Sequence, residues 1–381
     1  MMQTPYWRLS GFYLFYFASL GALIPYWSLY LKSEGFSSLE IGQLMALLMA
    51  TKIISPNLWG WLADHTGKRM AVVRLGSLLA LFSFLGIFVV DGFWGMALVM
   101  LAFSFFWNAV LPQFEATTLS QLGEQSHRYS MIRLWGSIGF IIAVVVLGPI
   151  LDITGPGLLP LVMVGLFVAI WLSSLSVAEQ PLRHSELPHQ PILQVLRKPE
   201  VIALLAVCFL MQASHGPYYT FYTIFMEEIG YSRALIGQFW ALGVVAEVVI
   251  FLIMSRMVSR FGLRRLLLWA TLLTALRWLL TGTLPQSLTV MLFAQLLHAA
   301  SFGMFHAVAI ALFHQFFVGR NQGRGQALYS SLAFGAGGAL GALYSGILWD
   351  SAGPLPAYLM AMSMALLAAF ISWRWLRGQL G

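Results

Sequence analysis

Four ionisable residues stand inside long apolar stretches: Lys52, Glu115, Glu247 and Arg277. A charge near the middle of a bilayer costs about 2.5–3.5 kcal/mol on insertion scales, so such residues pair with one another or face a hydrated interior. Glu247 is the leading candidate for a carboxylate that takes up and releases a proton, with Glu115 and His298 as further candidates for proton coupling. Lys52 and Arg277 are the cations able to hold an organic anion or to balance Glu247. The plain alternative is a static charge pair that ties helices together. His298, His306 and His314 recur at steps of eight residues. Eight residues turn a regular α-helix by about 80°, so His298 and His314 point about 160° apart and cannot converge on one metal ion. No metal site and no cofactor is expected. His298 and His306 remain candidates for contact with a proton or solute. His215 lies in QASHGPYY, where Gly216 and Pro217 interrupt a helix and free backbone carbonyls, so His215 and Gln212 are candidate ligand contacts. The aromatics Tyr26, Trp27, Tyr218, Tyr219 and Tyr222 either line an aromatic pocket or form an interfacial belt.

These residues must be carried by membrane-spanning elements. Of 381 residues, 59% are hydrophobic and 9% charged, and the mean hydropathy is +0.80. A soluble domain carries about 25% charged residues, so a soluble enzyme, a nucleic-acid binder and a secreted scaffold are excluded. Apolar runs place twelve spans between residues 8 and 375, the eighth at 235–255, the ninth at 264–283 and the tenth at 287–317. The first run, 8–31, has no cleavage-site pattern and is expected to be a retained helix rather than a removable signal. Cys208 is the single cysteine, so no intramolecular disulfide or multi-cysteine site is possible.

The net charge of +7 is mostly a topology signal. Alternate connections hold the basic clusters, among them Lys68, Arg69 and Arg74, then Arg256, Arg260, Arg264 and Arg265. The opposite connections hold only Lys32 and Arg233. The asymmetry predicts that both termini face the cytoplasm. The longest polar break, AEQPLRHSELPHQP, divides the chain into residues 1–178, a cytoplasmic linker 179–198, and residues 199–381. The halves repeat: a shift of 195 pairs Ile41-Gly42-Gln43 with Ile236-Gly237-Gln238 and Lys52 with Glu247. A later shift of 198 pairs Asp152-x-x-Gly155-Pro156 with Asp350-x-x-Gly353-Pro354. The expected fold is therefore an all-α membrane protein with twelve transmembrane helices in two six-helix pseudo-symmetric bundles, the plan of transporters whose halves rock about a midplane site. Small residues in AFGAGGALGALYSG, including Gly335, Gly337, Gly341 and Gly346, let helices approach closely.

The connection GWLADHTGKR, residues 60–69, resembles the G-x-x-x-D-R-x-G-x-R loop signature of the major facilitator superfamily, with His65 where an Arg is usual. Asp64, Gly67 and Arg69 in this loop, and Arg133 at the start of the fifth span, are candidate gating residues. The segments PYWSLYLK, RYSMIRLWGSIGF, MQASHGPYYTFYTIF, GVVAEVVIF, LRWLL and QLLHAASFGMFHAVAI together resemble the phenylpropionic acid permease group, relatives of the lactose-permease-like proton symporters. The resemblance implies an inner-membrane proton symporter. The lactose-permease pattern places a Glu three residues after its histidine in the tenth span. Here that residue is Ser301, which shifts the proton-carrying role to Glu247 or Glu115.

The combined expectation is import of a small organic solute, an aromatic carboxylate such as 3-phenylpropionate, with protons, by alternating access. A sugar or nucleoside symporter and an efflux protein for amphipathic compounds are the rivals within transport; a membrane sensor and a membrane enzyme are the rivals outside it. No phosphate-binding G-x-x-x-x-G-K-[ST] loop, no G-x-S-x-G and no H-E-x-x-H occurs in the chain, so ATP-driven pumping and hydrolysis find no support. The expected partners are the solute, protons and membrane lipid, with no nucleic acid, and the chain is expected to act as a monomer.

Overall fold

The computed structural model describes residues 5–179, 192–319 and 321–376. Among the described residues, eleven helices are long and apolar enough to cross a membrane: α1 (Tyr6–Ser33), α2 (Ser38–Thr66), α3 (Arg69–Phe88), α4 (Gly92–Leu122), α5 (Tyr129–Thr154), α6 (Pro156–Leu175), α7 (Pro199–Ile229), α8 (Arg233–Thr283), α9 (Leu288–Phe316), α10 (Asn321–Ala352) and α11 (Pro354–Trp375). The sequence led us to expect twelve, and the difference lies in α8. Its 51 residues would extend about 77 Å as one straight helix, against a hydrocarbon core of about 30 Å. Gly262 breaks it, with φ 74° and ψ 157°, a left-handed φ that glycine adopts without a Cβ penalty. The two arms, 233–261 and 263–283, contain the predicted eighth and ninth spans, so the twelve crossings are present.

Contacts divide the chain into two compact units. Unit 1 takes Met1–Phe36, Ala50–His184 and Ser232–Gly237; unit 2 takes Ser37–Met49, Ser185–Tyr231 and Gln238–Gly381. Much of the polar segment 178–191 lies outside the described residues. In unit 1, α1 packs on α5 and α6, and α3 packs on α4 and α6. In unit 2, α7 packs on α10 and α11. Large apolar side chains such as Trp94, Ile153 and Leu252 point outward, which suits a chain whose solvent is hydrocarbon.

The internal repeat is visible as repeated close packing. A Cβ added at Gly139 of α5 would come within 2.1 Å of the Leu14 carbonyl oxygen of α1. In unit 2 the same relationship joins Gly337 of α10 to the Phe209 carbonyl of α7, at 2.7 Å. The residue numbers differ by the two shifts already seen in the sequence. A second pair follows the same rule: Gly237 lies against the Val144 carbonyl, and Gly42 against that of Ala342, with added Cβ atoms at 2.2 and 2.8 Å. Only a missing side chain lets backbones meet this closely.

Two helices change their winding. Residues Ala299–Met304 of α9 and Ser330–Gly337 of α10 form π-helical turns, a rare geometry often found at functional positions. In α7, Pro217 supplies no N–H, and the helix is interrupted at His215 between Pro199–Ser214 and Gly216–Ile229.

Candidate functional site

Among the described residues of unit 2, one cation is fully buried. Arg277, on the second arm of α8, is fully buried. Its Nε donates to the Ala294 carbonyl at 3.0 Å, Nη1 to Ser301 Oγ at 2.9 Å and to His298 Nδ1 at 3.0 Å, and Nη2 to Gln295 Oε1 at 3.2 Å. The guanidinium carbon lies 4.2 Å from the centre of the Tyr218 ring and 4.7 Å from that of Trp278, a cation–π arrangement. Gln295 is held in turn: Tyr218 donates to its Oε1 at 3.0 Å, and its Nε2 donates to the Tyr222 hydroxyl at 2.7 Å. The cation is thus fixed by helix packing and neutral dipoles, and its nearest ionic partner is one residue removed.

That intermediary is His298. Its Nε2 lies 3.5 Å from Oε2 of Glu247, whose side chain is 16% exposed. Arginine has donors only, so Nδ1 of His298 must accept. The neutral ring then carries its hydrogen on Nε2 and directs it at the carboxylate. The chain Glu247, His298, Arg277 therefore has one polarity, from carboxylate through imidazole to guanidinium. Glu247 and Arg277 were expected as partners; the histidine between them was not. Ser301, noted in the sequence only as a departure from the lactose-permease pattern, is one of the groups holding Arg277.

The π turn in α9 alters the angular argument made for its histidines. Rings of His298 and Phe302 stack at 5.6 Å, and Phe302 and His306 at 5.7 Å, so His298 and His306 share a face. A regular α-helix would have rotated them apart. His306 Nδ1 meets the Tyr329 hydroxyl at 2.9 Å. No group of three or more His, Cys, Asp or Glu able to hold a metal exists among the described residues.

On α7, His215 stacks on Tyr219 and meets Trp278 edge-on, which puts it in the same aromatic cluster as Arg277. The Ala213 carbonyl that Pro217 cannot engage lies against Gly341, where an added Cβ would approach it to 2.7 Å. Gln212, His215, Tyr218 and Tyr219 are thus gathered on one helix of unit 2, together with Tyr222.

The remaining candidates belong to unit 1. Lys52 is half-buried on α2, next to Thr51, which donates to Ser104 at 3.1 Å and accepts from Asn108 at 2.8 Å. Lys52 and Glu247, related by the repeat, stand in different units. Arg133 Nε is 3.6 Å from Oε1 of Glu115, which also accepts from the Tyr129 hydroxyl at 3.3 Å. Arg133 covers the Phe17 ring at 3.8 Å. The sequence offered no sign of this pairing, because it joins residues 18 apart across a turn between two helices. Tyr26 and Trp27 are buried in the packing of unit 1: Tyr26 donates to the Val144 carbonyl at 2.8 Å, and the Trp27 indole to the Met100 sulfur at 3.5 Å. Asp64 and Arg69 form an ion pair at 3.0 Å around Gly67, whose φ is 69°.

Residues 6–360 match the MFS_1 like family. The chain belongs to this family. It is a membrane transporter of the major facilitator type. It is 27% identical to a probable 3-phenylpropionic acid transporter of Escherichia coli (strain K12), over 97% of this chain and 98% of that one. It is also 27% identical to a maltose permease of Geobacillus stearothermophilus, over 89% and 86% of the two chains. The crystal structure of the nucleoside transporter NupG shares its fold, with a TM-score of 0.82 at 15% identity, covering 99% of this chain and 100% of that one.

Proposed function

We propose that the protein is a proton-coupled symporter of a small organic carboxylate, an aromatic acid of the 3-phenylpropionate type. The observation that carries the proposal is the buried Glu247–His298–Arg277 chain. A guanidinium held in a low-dielectric interior without a directly bonded carboxylate suits a carboxylate arriving with the solute. Tyr218, Tyr222, Trp240 and Trp278 around it suit an aromatic body. The relative named for 3-phenylpropionic acid supports the same class.

Coupling follows from the polarity of the chain. Arg277 and a proton compete for one lone pair on His298 Nδ1. When a solute carboxylate draws Nη1 toward itself, that lone pair becomes available, and a proton that binds there gives an imidazolium whose Nε2–H stays on the Glu247 carboxylate. Solute and proton thus favour each other's binding, which is the linkage a symporter needs. In this reading the termini face the cytoplasm, in keeping with the basic clusters, and the chain works as a monomer in the inner membrane.

The test uses purified protein in proteoliposomes. Glu247→Gln should retain exchange of labelled 3-phenylpropionate across the bilayer but lose accumulation driven by a proton gradient. Full gradient-driven accumulation by this variant would refute the coupling role. The relatives named for maltose and nucleosides favour a second reading, a neutral hydroxylated solute, and the same liposomes tested with maltose and uridine decide between them.

A further inference from the structure

Unit 2 holds a narrow cleft between α7, α9 and α10, with free space for about one water-sized group. Gln212, His215, Ser301, His306 and Tyr329 are its polar lining, and Cys208, Met211, Ala333 and three Phe side chains the rest. The space admits a group the size of a water and not a ring.

His215 gives this cavity a chemical sense. The side chain is 2% exposed, and its Nδ1 is 2.7 Å from the Met211 carbonyl. A carbonyl only accepts, so the ring carries its hydrogen on Nδ1 and presents a lone pair on Nε2. Nε2 is buried and is not hydrogen-bonded by any described residue. A buried acceptor in this condition favours any ligand that brings a donor. Ser301 supplies the complement. It accepts from Arg277 at 2.9 Å, which leaves its own O–H able to donate. The lining thus offers one acceptor and one donor.

We infer that the His215 cavity receives a hydroxyl group of the transported solute, donating to His215 Nε2 and accepting from Ser301. The inference rests on the transport reading above and sharpens its substrate class. A carboxylate or carbonyl in this position would set lone pair against lone pair. An ammonium would bring a second positive charge to the aromatic cluster that already holds Arg277. A methyl group would leave Nε2 unsatisfied. A hydroxyl can serve both partners and is no larger than a water.

Matched solutes test this in the reconstituted full-length protein. Counterflow is measured with 3-(3-hydroxyphenyl)propionate against 3-phenylpropionate, and with uridine against 5′-deoxyuridine. The hydroxylated member of the transported pair should be preferred by about tenfold, the value of one ordinary buried hydrogen bond. His215→Phe should abolish the preference, while His215→Gln, which keeps an acceptor, should restore part of it. Because His215→Phe could disturb folding, Ser301→Ala provides a second variant, expected to weaken the same preference. Equal exchange of both members by the wild type overturns the inference and leaves the carboxylate reading intact as long as 3-phenylpropionate exchanges. A His215-dependent preference confined to the uridine pair upholds the inference and overturns the carboxylate reading. Exchange of none of the four overturns both.

Discussion

Nη1 of Arg277 donates to Nδ1 of His298 at 3.0 Å, and this single contact decides which ring nitrogen of His298 faces Glu247. Replacing Arg277 by Lys keeps the charge but loses the planar fork that reaches Ala294, Gln295, Ser301 and His298 together. We expect Arg277→Lys to weaken solute binding at least about tenfold, since a hydrogen bond to a charged group contributes about 1.5–3 kcal/mol. Isothermal titration in detergent measures it, and an unchanged affinity would remove Arg277 from the binding site.

The wild type should accumulate solute more strongly as the outside is made more acidic, because loading needs a proton on the Glu247–His298 chain. Glu247→Gln removes the negative charge that holds a proton on this chain and should make uptake insensitive to external pH between about 5.5 and 8. Initial rates of labelled uptake at fixed membrane potential check this. A variant that keeps the wild-type pH profile would move the proton to another group.

Arg133 and Glu115 are each about one-third exposed and 3.6 Å apart, so their contribution to stability should be small, about 0.2–1 kcal/mol. Arg133→Gln should therefore leave the melting temperature within about 2 °C of wild type, while slowing transport through the gating role expected for this residue. Loss of thermal stability in step with loss of transport would make the pair structural.

Gly139 and Gly337 should respond alike to a larger side chain. A Cβ at either meets a backbone carbonyl of the facing helix, that of Leu14 or Phe209, and backbone cannot turn aside as a side chain can. Gly139→Val and Gly337→Val are each expected to destabilise by about 1–3 kcal/mol or more. Thermal unfolding in detergent provides the measurement, with Gly11→Val as the control, since an added Cβ there meets nothing within 4 Å.

Asp152 accepts hydrogen bonds from the backbone N–H groups of Arg233 and Ala234, at 2.9 and 3.0 Å, and so caps the start of α8 within unit 1. Asp152→Ala should cost about 0.5–2 kcal/mol and speed amide exchange at residues 233–236 by about 2- to 30-fold. Unaltered exchange there would show that the cap contributes nothing in solution.

Much of this arrangement was legible in the amino-acid order. Apolar length gave the crossings, and shifts of 195 and 198 residues gave the repeat that Gly139 and Gly337 express in packing. Hydrocarbon also makes charge conspicuous, so Glu247 and Arg277 stood out without any alignment. His298 as intermediary did not, because sequence distance says nothing about which rings meet across helices. The π turns were hidden as well: the residues AASFGM read as ordinary helix, and their extra residue is seen only in hydrogen bonding. The break at Gly262 was legible in the basic run Arg256, Arg260, Arg264 and Arg265 between the eighth and ninth spans, although the backbone stays helical up to the glycine itself. Tyr26 and Trp27 looked like belt or pocket aromatics because composition does not tell which way a side chain turns.

The π turn at Ala299–Met304 ties the site to the length of the gene as well as to its spelling. A π turn holds one residue more than an α turn would, so losing a single codon there would relax the helix to regular winding. His298 and His306 would then stand seven residues apart, within about 20° of one face, whereas a codon lost from a regular stretch of α9 turns everything beyond it by about 100°. Among descendants of this gene, an in-frame codon deletion within this turn should therefore be tolerated better than one elsewhere in the same helix.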